Sequence, residues 1–302
     1  MQKKSIKYRA ALAAEWMHPF LLSNRDISIS LARSKDEMFL SKSLGFKDLD
    51  LTSLSEKVNK KGRVFFILGS GPSISELSDD KYEIMSKNVT LGINKWFMNS
   101  FDTDFYMFEG RKIEQKESHY RYWFDDAIVR YAEASESTFL LKDVASSFSC
   151  WDVFSKNFRE RSFVIPKFSV PGRSLAAFRY NLHKISSNTE AYPLLFRRGS
   201  ISLALSLAAR LNFDKVVLCG VDMNDGSYFW EDPRFKVRNG YSKPNIKRKL
   251  LHATIDSEVD PVTLDKVLID FKEMLFDDVS LYVSSKASSL SRFLPVFDWG
   301  NL

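Results

Sequence analysis

Apolar residues gather along this chain into short runs closed by turn residues. The strongest is Val64-Phe65-Phe66-Ile67-Leu68, five apolar positions without a polar break, followed by glycine. A run with no alternation predicts a strand buried on both faces, the condition of a strand inside a parallel sheet. The same reading predicts strands at Val89–Ile93, Phe105–Phe108, Ala127–Tyr131, Val216–Gly220 and Ser280–Val283. Helical stretches lie between several of them. The clearest is Ser200–Leu211, apolar nearly all round and so predicted to be buried against a sheet. Strands alternating with helices predict βαβ units, and hence an α/β fold with a doubly wound, mostly parallel sheet of the Rossmann type.

Two stretches depart from this pattern. Residues 1–62 are polar, mixed in charge and weakly periodic, and are set apart as an N-terminal extension to a domain spanning 63–302. The extension opens with Lys3, Lys4, Lys7 and Arg9, followed by Trp16, Met17, Phe20, Leu21 and Leu22. Such a segment predicts a helix packed on the main domain, or on a second subunit of a homo-oligomer. A basic start with apolar residues behind it also fits an amphipathic helix in peripheral contact with an anionic membrane, as does the C-terminal stretch Leu290–Trp299. The second departure is Asp232–His252, which holds seven lysines and arginines and one acid, with Gly240 and Pro244 breaking it. It reads as a basic lid, residues 229–256, inserted before the last helix and strand.

Composition narrows the field. The 302 residues are 44% hydrophobic and 27% charged, which excludes a disordered or collagen-like chain. No run of 18 apolar residues is present, so no membrane-spanning helix is predicted. The first 22 residues begin like a signal peptide, but Glu15, His18 and Pro19 interrupt the apolar stretch. Cys150 and Cys219 make no motif and the four histidines are scattered, which argues against a disulfide framework or a zinc site and for a reducing, cytoplasmic setting. The net charge of +6 predicts an anionic partner. No nucleic-acid-binding signature accompanies it, so nucleic acid is not expected.

In an open α/β sheet, ligands bind outside the carboxyl ends of the strands. Gly69-Ser70-Gly71-Pro72-Ser73 directly follows the first strong strand, where glycines allow close backbone approach to a phosphate. Pro72, however, removes one N–H from any cradle. Asn94 ends the second strand and can either bind a base or ribose or cap the next helix. Glu109 ends the third. Asp102-Thr103-Asp104 resembles a metal-binding D-x-D, but it precedes its strand and so falls at the edge away from the ligand crevice. Arg197 and Ser200 stand where the buried helix begins, a place suited to an anion, and Tyr228 lies in a Gly-Ser loop with its hydroxyl available to a phosphate. Asp222, just past a strand end, is read as structural, tying its loop through backbone N–H groups. His252 closes the basic segment, with a pKa suited to a general base near neutrality.

The order strand–GxGPS, strand–xxN, Arg-x-x-Ser helix, strand–Gly-Val-Asp, Gly-Ser-Tyr loop and basic segment with a late histidine resembles the bacterial lipooligosaccharide sialyltransferases of glycosyltransferase family 42. The resemblance covers roughly residues 63–297 and is densest at 66–73 and 197–228. It implies a GT-A-like Rossmann variant, no metal or other cofactor, and a CMP-activated nonulosonic acid of the sialic acid or Kdo type as donor. The sugar would pass with inversion to a glycan or glycolipid acceptor at the bacterial surface, made on the inner face of the inner membrane. By resemblance, Gly69, Ser70, Gly71 and Asn94 bind the nucleotide, with Gly220 closing the strand beside them. Ser200 lies near the sugar carboxylate, Arg197 and Tyr228 belong to the active site, and His252 is the general base. Three positions depart from the family. Ser70 and Glu109 each stand where the family carries asparagine, and Asn224 takes the place of a second tyrosine at the leaving phosphate. A carboxylate sugar beside Glu109 requires a protonated partner or an intervening cation.

Two other functions share the crevice. One is a Mg²⁺-dependent pyrophosphokinase of the pterin type, drawing on Glu109, Asp222 and Asp225. The other is a non-catalytic nucleotide-binding protein.

Overall fold

A computed structural model describes residues 19–109, 127–144, 154–186, 194–223, 227–241, 243, 254–258, 260–275 and 279–300, the side chains of 19–22 and 109 excepted. The strands are β1 (Lys47–Asp48), β2 (Val64–Leu68), β3 (Val89–Ile93), β4 (Phe105–Glu109), β5 (Thr138–Lys142), β6 (Ser162–Val164), β7 (Lys167–Ser169), β8 (Leu194–Phe196), β9 (Lys215–Cys219) and β10 (Ser280–Val283). The helices are α1 (Pro19–Ser43), α2 (Leu51–Val58), α3 (Asp79–Ser86), α4 (127–134), α5 (Lys156–Glu160), α6 (Leu175–Ser186), α7 (Ser200–Arg210) and α8 (Leu264–Leu275). Eight strands form one sheet in the order β1-β6-β5-β4-β3-β2-β9-β10, every neighbouring pair parallel. β7 and β8 make a separate parallel pair.

Helices and turns cover both faces of the sheet, and the period of two explains how an unbroken apolar run satisfies them. On β2, Phe65 and Ile67 enter one core, while Val64, Phe66 and Leu68 enter the other. The first core is filled by α7, α6 and α8. The second holds Trp96–Met98, α4, Phe158 of α5 and the turn at Phe229–Trp230. Arg179 on α6 reaches across to the fully buried Asp270 on α8 at 2.8 Å. The Asp270 carboxyl is held above its ordinary pKa because burial outweighs the arginine.

Four of the expected strands appear with boundaries unchanged or extended by one residue, and a fifth, at Lys215–Cys219, is shifted by one. The expectation at Ala127–Tyr131 is corrected: this stretch is helical. Ala127, Ile128, Tyr131 and Ala132 are buried while Arg130 is exposed, a spacing that fits one face of a helix and not a strand. The strand of that region is β5 (Thr138–Lys142).

From Pro19 onward the N-terminal stretch is packed on the rest of the chain. Ile27 enters the first core, Ser30 Oγ donates to Ser169 O at 2.6 Å, and β1 becomes the sheet's edge by pairing with β6. Residues 1–18, with their basic cluster and Trp16, lie outside the described residues. At the other end, Leu290, Leu294 and Phe297 are buried and Trp299 stacks on Phe66 at 5.6 Å, while Phe293 is exposed. No helix among the described residues is long and apolar enough to cross a membrane.

Candidate active site

At β2 the chain order reverses. Strands β3 to β6 are laid down on one side of it, and β9 and β10 on the other. Such switch points are where open parallel sheets form ligand crevices, at the carboxyl ends of the strands. Left-handed backbone recurs just past the carboxyl ends of several strands. Asn94 after β3, Asp143 after β5, Arg198 after β8 and Met223 after β9 all have left-handed φ, between 55° and 69°. Non-glycine residues held so concentrate at functional sites, because the conformation persists only where the surroundings enforce it.

The glycine loop is built differently from a phosphate cradle. A Cβ on Gly69 would lie 2.4 Å from Gly220 O, and one on Gly71 would lie 2.3 Å from Asp222 Oδ2. These glycines admit the neighbouring turn after β9, where Gly220 has φ +64. The amides are engaged in the same contact. Gly69 N–H donates to Cys219 O and Gly71 N–H to Gly220 O, each at 2.7 Å, and Ser73 N–H donates to Asp222 Oδ2 at 2.8 Å. Ser73 Oγ donates to the other carboxylate oxygen at 2.6 Å, so Asp222 ties the loop as its position after a strand predicted. With Pro72 carrying no N–H, the amides of 69 and 71–73 leave none to cradle an anion.

Several expected residues do converge. Ser200 Oγ donates to Asn94 Oδ1 at 3.4 Å, across from one strand end to the start of α7. The Tyr106 hydroxyl donates to the Asn94 carbonyl and supports its left-handed turn. Ser70 is buried. Its Oγ accepts from Lys95 N–H at 3.3 Å, and its carbonyl accepts from Phe229 N–H at 3.1 Å, which brings Tyr228 against the loop. Tyr228 stacks on Trp230 with centroids 4.3 Å apart. Burial holds its phenol above the ordinary pKa, so it stays a hydrogen-bond donor through neutral pH.

Arg197 is placed otherwise. Its guanidinium donates to Gly172 O and pairs with Asp260 Oδ2, both at 2.8 Å, while Arg198 reaches the carbonyls of Thr254 and Asp256. The two arginines fasten the start of α7 to residues 254–260, a partnership that sequence spacing cannot reveal. His252 and Asn224 lie outside the described residues, as does the Glu109 side chain. The backbone of Glu109 is in register with Lys142 on β5, a buried lysine that also lies 5.6 Å from the Phe196 ring. A cation is therefore the strand neighbour of Glu109.

The described part of the basic segment is packed down. Arg238 donates to the carbonyls of Phe97 and Asn99 and pairs with Asp102, and the Tyr241 ring packs at a tilt against Phe97 with centroids 5.9 Å apart. Asp104 pairs with Lys61 and accepts from Thr90. Both acids of the D-x-D thus have structural partners. They border a cleft of about 470 Å³ with Lys57 and Glu136 at the amino-terminal edge of the sheet, away from the crevice. A contact hidden from sequence reasoning is that of Lys95, whose ammonium lies 4.3 Å from the centre of the Tyr228 ring and 5.3 Å from that of Trp230. Its one signal was its place directly after a strand-ending Asn, and its aromatic partners lie more than a hundred residues away. No protein-family model matches the chain, and no curated protein matches it in sequence.

Proposed function

We propose that this chain is a glycosyltransferase built on a doubly wound, GT-A-like Rossmann domain. Its donor is a nucleotide-activated sugar, CMP-linked and of the nonulosonic acid class, and its acceptor is a glycan or glycolipid of the bacterial surface. The observation that supports this reading most is the meeting of Ser70, Asn94, Ser200 and Tyr228 across three strand ends at the switch point. Together they offer hydroxyl and amide groups to a polar ligand, with a protonated phenol among them. In the reaction, the acceptor hydroxyl oxygen bonds to the anomeric carbon opposite the phosphate. The carbon–phosphate oxygen bond breaks with its electron pair leaving on CMP, and the hydroxyl proton passes to the His252 imidazole. Tyr228 donates to the departing phosphate oxygen. Contact with the inner membrane face and self-association are parts of the same proposal.

The test is thermal denaturation with CMP, CDP, UDP, GDP and ATP, each with and without EDTA. CMP at about 100 times its Kd should stabilise by roughly 2.7 kcal/mol, with EDTA having no effect. An equal response to all five, or a strict need for a divalent cation, would refute the proposal.

A further inference from the structure

A helix on the surface of a domain ordinarily turns its large apolar side chains inward. α1 does so only in part. The face it lays on the domain carries Ser23, Ser30, Ser34 and Ser41, all buried, with Ile27 among them. Hydrogen bonds fasten that face, from the Ser23 hydroxyl to the Asn181 side chain on α6 and from Ser30 Oγ to Ser169 O. Ile29, Phe39 and Leu40 lie on the other side, and Phe39 is 74% exposed. We infer that this outward face of α1 is the surface through which two copies of the chain associate, their helices packed antiparallel about a two-fold axis. The inference rests on the self-association proposed above and places it on a segment outside the sialyltransferase resemblance.

The spacing of the outward residues carries the argument. Ile29, Ala32, Phe39 and Leu40 are all exposed, and the helical period gathers them into one stripe. Asp36 falls inside that stripe and Arg33 on its border, both exposed, and neither side chain pairs with another among the described residues. A carboxylate within an apolar stripe is ill suited to a bilayer. The charge of α1 is also nearly balanced, with Arg25, Arg33, Lys35 and Lys42 set against Asp26, Asp36 and Glu37. A second helix suits the stripe if it brings a cation to Asp36. Parallel packing would set Asp36 against Asp36 and Arg33 against Arg33. Antiparallel packing centred between residues 33 and 36 instead sets Arg33 of each copy against Asp36 of the other. Ile29 stands about 15 Å along the helix from Phe39, so the same pairing lays each Ile29 over Phe39 and Leu40 of the second copy. The face is therefore complementary to itself in charge and in apolar contact, as a two-fold interface requires. One helix on one helix buries less than the roughly 1,200 Å² of a standard interface, so the dimer should be weak, with a micromolar Kd.

The experiment is sedimentation of the full chain over about 1 to 200 µM, a range that brackets such a Kd. Wild type should pass from 34.9 kDa toward twice that mass as its concentration rises. Phe39→Ser, checked for a native melting transition, should weaken the dimer by about tenfold or more. Arg33→Asp and Asp36→Arg should each weaken it by about fivefold or more, because each sets like charges face to face. The double variant exchanges the two charges and should return to within about threefold of wild type. Wild type that stays monomeric throughout would overturn this surface and the self-association reading together. A dimer of undiminished strength in folded Phe39→Ser would overturn the surface alone and leave self-association standing. Charge variants whose loss the exchange does not restore would overturn the antiparallel arrangement. Binding to phosphatidylglycerol vesicles that is lost in Phe39→Ser, with every protein monomeric, would assign the face to a membrane and overturn the inference.

Discussion

Gly69→Ala separates two reasons for a glycine after the first long strand. If the glycine exists so that a ligand can approach the backbone, alanine should weaken binding and leave the empty protein as stable as before. If it exists so that the β9 turn can approach, the cost falls on folding. The added methyl would begin 2.4 Å from Gly220 O, about 1 Å inside ordinary contact, and its obstacle is backbone. Relieving that overlap requires the two loops to part. The hydrogen bonds from Gly69 and Gly71 to Cys219 and Gly220, each 2.7 Å, would then lengthen or break. A buried backbone bond lost without replacement costs about 1–3 kcal/mol, so losing both amounts to about 2–6 kcal/mol. For a chain of this size the melting temperature moves by roughly 2 °C per kcal/mol, which gives a fall of about 4–12 °C. Calorimetry of the ligand-free variant measures this directly. A folded Gly69→Ala protein melting within 1 °C of wild type would refute the packing account.

Two further outcomes follow from the partners described. Asp260→Ala and Arg197→Ala should each lower stability, and a double-mutant cycle should give a coupling of about 1.5–3 kcal/mol, that of a hydrogen-bonded ion pair largely shielded from water; a coupling near zero would show the pair to be incidental. Full burial pushes the Cys219 thiol up from about 9 to about 12. Because the folded pKa is raised, the stability gained by keeping the thiol neutral is complete below pH 9 and is lost as pH climbs toward 12, at about 1.4 kcal/mol per unit. Urea denaturation at pH 8 and 10.5 should therefore destabilise wild type by about 2 kcal/mol more than Cys219→Val, and parallel profiles would refute it.

What was legible in the sequence was whatever local pattern decides. Val64–Leu68 could be read because a strand buried on both faces needs no alternation, and the glycine after it marks the turn. Ser200–Arg210 could be read because a helix apolar all round has nowhere to go but the interior. Residues 127–131 misled because five mostly apolar positions look alike in either state, and only the half-buried Val129 and exposed Arg130 between the buried pairs Ala127–Ile128 and Tyr131–Ala132 mark the helix. Three-residue strands such as β7 and β8 carry too little pattern to be seen. Within the site, Asp222 was legible because an aspartate after a strand end bonds nearby amides. Arg197 was not, since its carboxylate comes 63 residues later and nothing local distinguishes a guanidinium awaiting a ligand from one already paired. Lys95 was hidden for the same reason, because its position depends on Tyr228 and Trp230.

The pairing of β2 with β9 bears on how the molecule is made. These strands lie side by side across roughly 150 residues of intervening chain. During synthesis, β3 to β6 can assemble on one flank of β2 long before β9 leaves the ribosome. At about 5–20 residues per second, the other flank of Val-Phe-Phe-Ile-Leu waits on the order of ten seconds. For that interval the strand that becomes interior is an exposed apolar edge, the kind of template on which chains associate wrongly. The same contact that builds the crevice therefore leaves the nascent chain open to wrong association until β9 arrives. Chains truncated before Lys215 should accumulate as aggregates, because the hydrogen-bonding edge of β2 would never be covered.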